Sequence, residues 1–572
     1  MLNKLTYVAI ALLIAASLAT RAAAAQDALV LLHGKVWTGN PQQPEAEAVA
    51  LRANQIVAVG NVAAVLAAAG PNPKIIELGG RRVVPGFNDA HVHFMDGGDS
   101  LVTLDTRDAA SAAEFRDRVA AYTHTLEDGE WVRNGNWDHE RWPGAQLPTH
   151  VVIDSATGGH PAFLWRTDGH MALANALAMR LAGVDRNTPD VAGGVIVRDA
   201  EGNPTGIFKD AATALISRAV PPLTTVQMER ALDAAMRYAA ANGVTSVQDL
   251  AGSTTDTREP AFFREYQQME RAGKLTVRIA TSERLLDWQP LAAAGITAGF
   301  GNAGLRTGGV KGFADGALGS RTAWMLQPFS DSPAGAPDQS GIPSDELLDD
   351  KKMYADILGA DRAGLQVMIH AIGDRANRTI LDLYERAEAE DGPRDRRFRI
   401  EHVQHLDPAD LPRFAKLHVI ASMQPYHEAD DGRWASNRLG PERSRLSYAW
   451  RSLLDSGAVL AFGSDWPVAP MEPLKGIYAA VTRRTIDGRN PEGWIPEQRI
   501  TVAEALHAYT VSAAYAEFQE KVKGSIEPGK LADVVVLSID ILHATPDELG
   551  AAKVDMTIFD GRVIYDRNAP HP

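Results

Sequence analysis

The sequence predicts an α/β fold: a (β/α)8 barrel of the TIM type, a composite β-sandwich formed by both termini, and a subdomain inserted after the first barrel strand. Three observations carry this. Short apolar runs recur between residues 83 and 465 with helical segments in the gaps, the rhythm of βα units around a parallel sheet. Segments at opposite ends of the chain share a strand-and-turn pattern that the middle lacks. The gap between the first and second runs, about residues 95–220, is far longer than an ordinary βα connection.

Taken in order, the N-terminus has Lys4, an apolar stretch from Val8 to Leu18, and Ala23-Ala24-Ala25 before Gln26, the pattern of a cleaved secretory signal over residues 1–25. A membrane anchor needs about twenty apolar residues, and Arg21 interrupts this run. The expectation is an exported protein, periplasmic or secreted, with no stable membrane insertion after cleavage. Residues 26–82 contain Ala28-Leu-Val-Leu-Leu-His33 and Ile56-Val-Ala-Val59, and residues 521–572 contain Asp533-Val-Val-Val-Leu537 and Asp560-Gly-Arg-Val-Ile-Tyr565. Chain ends commonly lie close together, so these two parts are expected to share one sandwich.

Residues 83–520 are expected to form the barrel. Its strands are read over Val83 to His93, Gly243 to Asp249, Leu275 to Thr281, Leu305 to Phe313, Gly364 to His370, Arg397 to His402, His418 to Gln424 and Ala458 to Asp465. Helices are legible between them. Thr224 with Gln227 makes a capping box, followed by Met228, Leu232, Ala235 and Ala239 on one face, and Thr501 with Glu504 starts another helix. The insert carries Trp131, Trp137, Trp142 and Trp165, which serve either as an apolar wall at the barrel mouth or as the insert's own core.

Composition narrows the function. A chain of 572 residues is too long for one core, and 45% apolar with 23% charged residues is ordinary for a folded protein. No cysteine is present, so stability comes from packing and any bound metal. The formal charge is −15, and loss of the signal removes two further positive charges, Lys4 and Arg21. Nucleic acid and anionic membranes are therefore poor partners, and a neutral or cationic small molecule a better one. A homo-oligomer is compatible with all of this.

The sharpest chemical motif is Pro85-Gly-Phe-Asn-Asp-Ala-His91-Val-His93. Histidines at i and i+2 share one face of an extended strand, and neutral imidazole is a preferred ligand of zinc and similar ions. Alone the motif is common. Yet His370, His402 and Asp465 also close apolar runs, and Lys311 ends Thr307-Gly-Gly-Val-Lys. Any one of these has a structural reading as a bonded core histidine, an ion-paired lysine or a helix cap. Together they place ligand-type side chains at the C-terminal strand ends, where barrel enzymes hold their catalytic groups.

At this point the chain resembles the amidohydrolase superfamily, in the amidohydrolase 3 branch that includes N-substituted formamide deformylase. The motifs are Val84-Pro-Gly-Phe-Asn-Asp-Ala-His-Val-His93, Val310-Lys-Gly-Phe-Ala-Asp-Gly-Ala-Leu-Gly-Ser-Arg-Thr-Ala323, Ile369-His-Ala-Ile-Gly-Asp374, Ile400-Glu-His-Val-Gln-His405, Gly463-Ser-Asp-Trp-Pro-Val468 and Gly529-Lys-Leu-Ala-Asp-Val534. The resemblance implies that His91 and His93 hold one divalent metal, with zinc the expected ion, and that His370 and His402 hold a second. It implies Lys311 as a carboxylated bridge and Asp465 as both ligand and general base. One or two ions are both compatible with it. Asp168-Gly-His170 resembles the family's substrate-side motif, so His170 is a candidate for contacting the substrate carbonyl, against an Asx turn with a solvated ring.

His405, three residues after His402, is an alternative ligand by type, but the strand-end position and the motif favour His402, and His405 is read as structural. Gln424-Pro-Tyr-His427 and the loop Trp434 to Arg443, with Arg438 and Arg443, lie where barrel enzymes set specificity. Asp315 and Arg321 are read as a structural ion pair. The expected reaction is hydrolysis of a non-peptide C–N bond (amide, formamide or N-acyl) in a small apolar substrate. A ring deaminase or a lactone or ester hydrolase would use the same site, and an exported binding or regulatory protein without turnover is the alternative from another class.

Overall fold

The computed structural model describes residues 27–252, 258–332 and 339–569. The expected signal segment lies outside the described residues. Among the described residues no helix is long and apolar enough to cross a membrane.

Eight consecutive parallel strands form the barrel: β1 (Phe87–Val92), β2 (Val244–Asp249), β3 (Arg278–Arg284), β4 (Leu305–Phe313), β5 (Gln366–Ala371), β6 (Arg399–His402), β7 (Ile420–Met423) and β8 (Leu460–Phe462). The seam between β8 and β1 is closed just past β8. Asp465 N donates to His91 O at 2.7 Å, and His93 N donates to Trp466 O at 2.7 Å. Gly463 is required there, because a Cβ on it would stand 2.5 Å from His91 N. The bonds that close the barrel thus fix the backbone of three candidate ligands.

The helices pack their apolar faces on this cylinder. Thr224 caps the helix Thr225–Ala241, with Gln227 Oε1 accepting from Thr224 N at 2.9 Å, and Met228, Leu232, Ala235 and Ala239 are buried on the barrel core. The capping box expected at Thr501 and Glu504 is likewise present.

The two chain ends do form a sandwich. A four-stranded sheet (Leu29–Leu32, Ala48–Arg52, Gln55–Gly60 and Lys74–Glu77) faces a six-stranded sheet. In the latter Val534–Leu537, from the C-terminal part, runs antiparallel to Arg82–Pro85, from the N-terminal part. Leu31, Val49, Val83, Val534, Val536 and Ile558 share its core.

Every barrel strand but β4 differs from expectation at one or both ends, the eighth being confined to Leu460–Phe462, and the shifts of the first and third have identifiable causes. The run Val83 to His93 is divided at Gly86: Arg82–Pro85 belongs to the sandwich and only Phe87–Val92 to the barrel. Gly86 N bonds to Asp533 O at 2.9 Å, and a Cβ at Gly86 would meet Thr245 Oγ1 at 2.0 Å, so the chain passes between sheets through a gap that admits only glycine. The third strand starts at Arg278, not Leu275. Leu275 and Val277 are buried below the ladder, and an apolar run does not show where pairing begins.

Between β1 and β2 the insert forms its own six-stranded mixed sheet, spanning Leu104–Asp105 to Pro204–Asp210, with two cores. Trp137 and Trp142 pack on Phe115 inside one of them, and Trp131 lies on the other. The apolar-wall reading therefore holds for Trp165 and not for these three. The insert is tied over the mouth by Arg107, which donates to Pro467 O and Val468 O, and by Asp138, which accepts from Arg433 at 3.1 Å.

Candidate metal centre

His91, His402 and Asp465 offer ligand atoms that all lie within 4.8 Å of one another, and all three residues are buried. His93 joins them through Asp465, whose Oδ1 is 3.3 Å from His91 Nε2 and 3.2 Å from His93 Nε2. His370 joins them through His402, with ring centroids 4.5 Å apart. Lys311 reaches the same cavity from β4, almost wholly buried, its Nζ 4.4 Å from the Phe313 ring centroid. The structure thus brings all six sequence-predicted residues to one place at the C-terminal end of the barrel.

Each imidazole is oriented from behind. His91 Nδ1 bonds to Glu401 Oε2 at 2.7 Å, His93 Nδ1 to Leu250 O at 2.9 Å, and His402 Nδ1 to Gln424 Oε1 at 2.9 Å. An acceptor on Nδ1 fixes the proton there and turns an unprotonated Nε2 inward. His370 is the reverse, with Nε2 3.2 Å from Gly316 O, which leaves its Nδ1 for the centre. Burial pushes the His91 imidazole down to about 4 and holds His370 and His402 well below the ordinary histidine range, so all three are neutral at pH 7. Burial opposes ionisation of Asp465, but the charge of His91 and the contact from His93 outweigh it and hold the carboxyl well below its ordinary range. The same contact raises the His93 imidazole against its own burial, so in the absence of an ion His93 and Asp465 form a pair that shares a proton.

This arrangement fits a divalent cation. His91 Nε2 and Asp465 Oδ1 are buried and have no hydrogen-bond partner among the described residues, which is costly unless an ion occupies the space between them. Neutral nitrogens and one carboxylate suit zinc or a similar ion. The backbone is strained at the same positions: His402 has φ 77° and Asp465 φ 60°, a region non-glycine residues rarely adopt. At His402 this breaks the in-out alternation of β6, so both Glu401 and His402 reach His91.

Sequence reasoning missed the supporting residues. Glu401 is fully buried and accepts from Arg399 Nε at 2.8 Å, and Arg399 also reaches Ala90 O at 2.7 Å and Ser422 Oγ at 3.0 Å. Burial raises the Glu401 carboxyl, but Arg399 and His91 outweigh that and hold it down to about 2. The signal available was the charged pair Arg399 and Glu401 inside an apolar strand. Burial lowers the Lys311 ammonium to about 8, against the pull of Glu401 and Asp465.

His170 stands at the wall, with Nδ1 2.8 Å from Asp210 Oδ1 and its ring 4.8 Å from that of His370. Its backbone N bonds to Asp168 Oδ1 at 3.2 Å, so the Asx turn forms, but the ring faces the cavity. His405 points away, with Nδ1 on Ser447 Oγ at 2.8 Å. Three readings are corrected. Asp315 does not pair with Arg321: it accepts from Trp324 N, Ile372 N and Gly373 N, while Arg321, turned outward at φ 60°, pairs with Asp331 at 2.8 Å. Arg438 is held by Asp331 and Glu140, and Arg443 by Gln327 O, Pro328 O and Ser330 Oγ, so both tie loops together and neither lines the cavity.

The cavity has two lobes that share His170, His370, His402 and Asp465. The larger, about 150 Å³, is walled by Trp165, Phe313, Pro467 and Val468, and the smaller, about 60 Å³, by the helix that follows β7.

Residues 74–565 match the model of the amidohydrolase family. The chain belongs to that family. Among relatives of this amidohydrolase, the protein LONG AFTER FAR-RED 3 of Arabidopsis thaliana is 38% identical, covering 94% of this chain and 91% of its own. N-substituted formamide deformylase of Arthrobacter pascens is 27% identical, covering 94% and 98%. The crystal structure of an uncharacterized metal-dependent hydrolase from Pyrococcus horikoshii OT3 superposes with a TM-score of 0.71 at 26% identity, covering 91% of this chain and 99% of that one.

Proposed function

We propose that this amidohydrolase is an exported, metal-dependent enzyme that cleaves a non-peptide C–N bond (amide, formamide or N-acyl) in a small, largely apolar molecule. The observation that carries the reading is the convergence of the imidazoles and the Asp465 carboxylate on one buried point, where His91 Nε2 and Asp465 Oδ1 have no hydrogen-bond partner among the described residues. His91, His93 and Asp465 would hold one ion and His370 and His402 a second, with Lys311, carboxylated on Nζ, between them. Zinc is the ion the donors suit best. Bound metal would lower the pKa of a bound water to about 7 and polarise the scissile carbonyl.

The chain's own groups supply the rest. Asp465 takes the proton as water adds to the acyl carbon and returns it to the departing nitrogen, so that the C–N bond breaks to a carboxylic acid and an amine. His170, whose doubly protonated form Asp210 favours through Nδ1, donates its Nε2–H to the substrate carbonyl. Trp165, Phe313 and Val468 exclude water from one side of the bond. A depressed Lys311 supplies the neutral amine that carbon dioxide captures. Support for the substrate class comes from the deformylase relative and the apolar lobe.

The test is the metal content of the purified protein together with activity on N-acyl, formamide, lactone and cyclic amine substrates, before and after chelation. Bound metal with chelator-sensitive amide cleavage is the expected result. Metal-free protein that stays inert when metal is supplied overturns it.

A further inference from the structure

The smaller lobe is lined with charge that the proposed hydrolysis does not use. Arg166 lies between Asp168, 2.7 Å away, and Asp138, at 3.0 Å. Arg433 in turn lies between Asp138, at 3.1 Å, and Asp430. This alternating chain begins and ends on a carboxylate. Asp431, beside it in the same lobe, accepts only from Tyr448 Oη, at 2.6 Å, so one of its oxygens has no donor among the described residues. Three carboxylates, Asp168, Asp138 and Asp430, thus share two guanidinium groups in a recess where charge is poorly screened. Beside them burial raises the Asp431 carboxyl to about 7, so that a cation placed there would draw it into its ionised form.

A second observation points to a ligand. His427 lines the lobe, is only 8% exposed, and its Nε2 has no partner among the described residues. Gln404 Nε2 donates to its Nδ1 at 3.3 Å, so Nε2 carries the proton and is a donor without an acceptor. Asp465 Oδ2, 3.8 Å away, is beyond reach.

We propose that the smaller lobe is a subsite for the cationic end of the substrate, an ammonium or guanidinium group facing Asp430 and Asp431, with His427 Nε2 donating to a polar atom nearer the scissile bond. The inference rests on the hydrolase reading. It makes the substrate amphipathic: an apolar part against Trp165 and a basic part against the helix that follows β7.

The test uses the whole enzyme in two arms. In the first, N-acyl monoamides of short diamines, which end in ammonium, are compared with methyl-terminated amides of equal length. The ammonium substrate is expected to have about tenfold higher kcat/KM, the size of one charge-assisted contact. That ratio should collapse in Asp430→Asn and in Asp431→Asn. The partly exposed Asp430 serves if loss of the Tyr448 contact unfolds the Asp431 variant. In the second arm, calorimetry compares a short alkylammonium ion with the corresponding alcohol, independently of turnover. The ammonium should bind about tenfold more tightly to the parent protein, and equally to the variants. Equal binding of ion and alcohol by the parent, or a preference that survives both substitutions, overturns the subsite. If neither amide is hydrolysed, the hydrolase reading fails, and the second arm still decides the subsite.

Discussion

Replacement of Glu401 by Gln is the most informative single change, because one carboxylate orients His91 and neutralises Arg399, both fully buried. The carboxyl falls from its ordinary 4.5 to about 2, which at about 1.4 kcal/mol per pH unit corresponds to about 3 kcal/mol of stability. That agrees with the ~3–5 kcal/mol typical of removing one partner of a buried ion pair. The sign follows from the depressed pKa. The contribution is complete above pH 4.5 and is lost as pH falls toward 2, so wild type and Glu401→Gln should differ by about 3 kcal/mol at neutral pH and converge in acid. The second effect is on metal: glutamine offers one acceptor oxygen where His91 Nδ1 and Arg399 Nε each need one, so the His91 tautomer is held less firmly and affinity should drop ~10–100-fold. Denaturant titration across pH, with chelator competition at pH 7, measures both. A variant with wild-type affinity and a pH-independent stability difference would refute the reasoning.

Three further outcomes are expected. Asp465→Asn should lower kcat at least ~100-fold, with metal content by atomic absorption largely retained; undiminished turnover removes Asp465 from the base role. Lys311→Ala should lower metal content and be partly rescued by a small carboxylic acid, whereas unchanged metal content removes the carboxylated bridge. Gly463→Ala forces a Cβ to within 2.5 Å of His91 N, so it should destabilise the seam by ~1–3 kcal/mol and weaken metal binding together, seen in denaturant and chelator titrations.

Much of the fold and the candidate ligand set was legible in the sequence, because both are written in short-range patterns. Apolar runs ending in His, Lys or Asp mark strand ends, and β4 was read to the residue, Leu305 to Phe313. Capping boxes at Thr224 and Thr501 are local by nature. What failed was long-range. The division at Gly86 depends on Asp533 and Thr245, and the partners of Arg321, Arg438 and Arg443 are set by loops that only the folded chain brings near.

By itself, then, the sequence determined which residues could bind metal and roughly where each strand would place them, since residue chemistry and strand periodicity are local. Only the tertiary structure decided which ring nitrogen of each histidine faces inward. That depends on Glu401, Leu250 O, Gln424 and Gly316 O, each contributed by a different part of the chain from the histidine it orients. It likewise decided that the carboxylates after β7 and in the insert meet in one recess, because their repulsion and pairing exist only once the insert is packed over the barrel mouth.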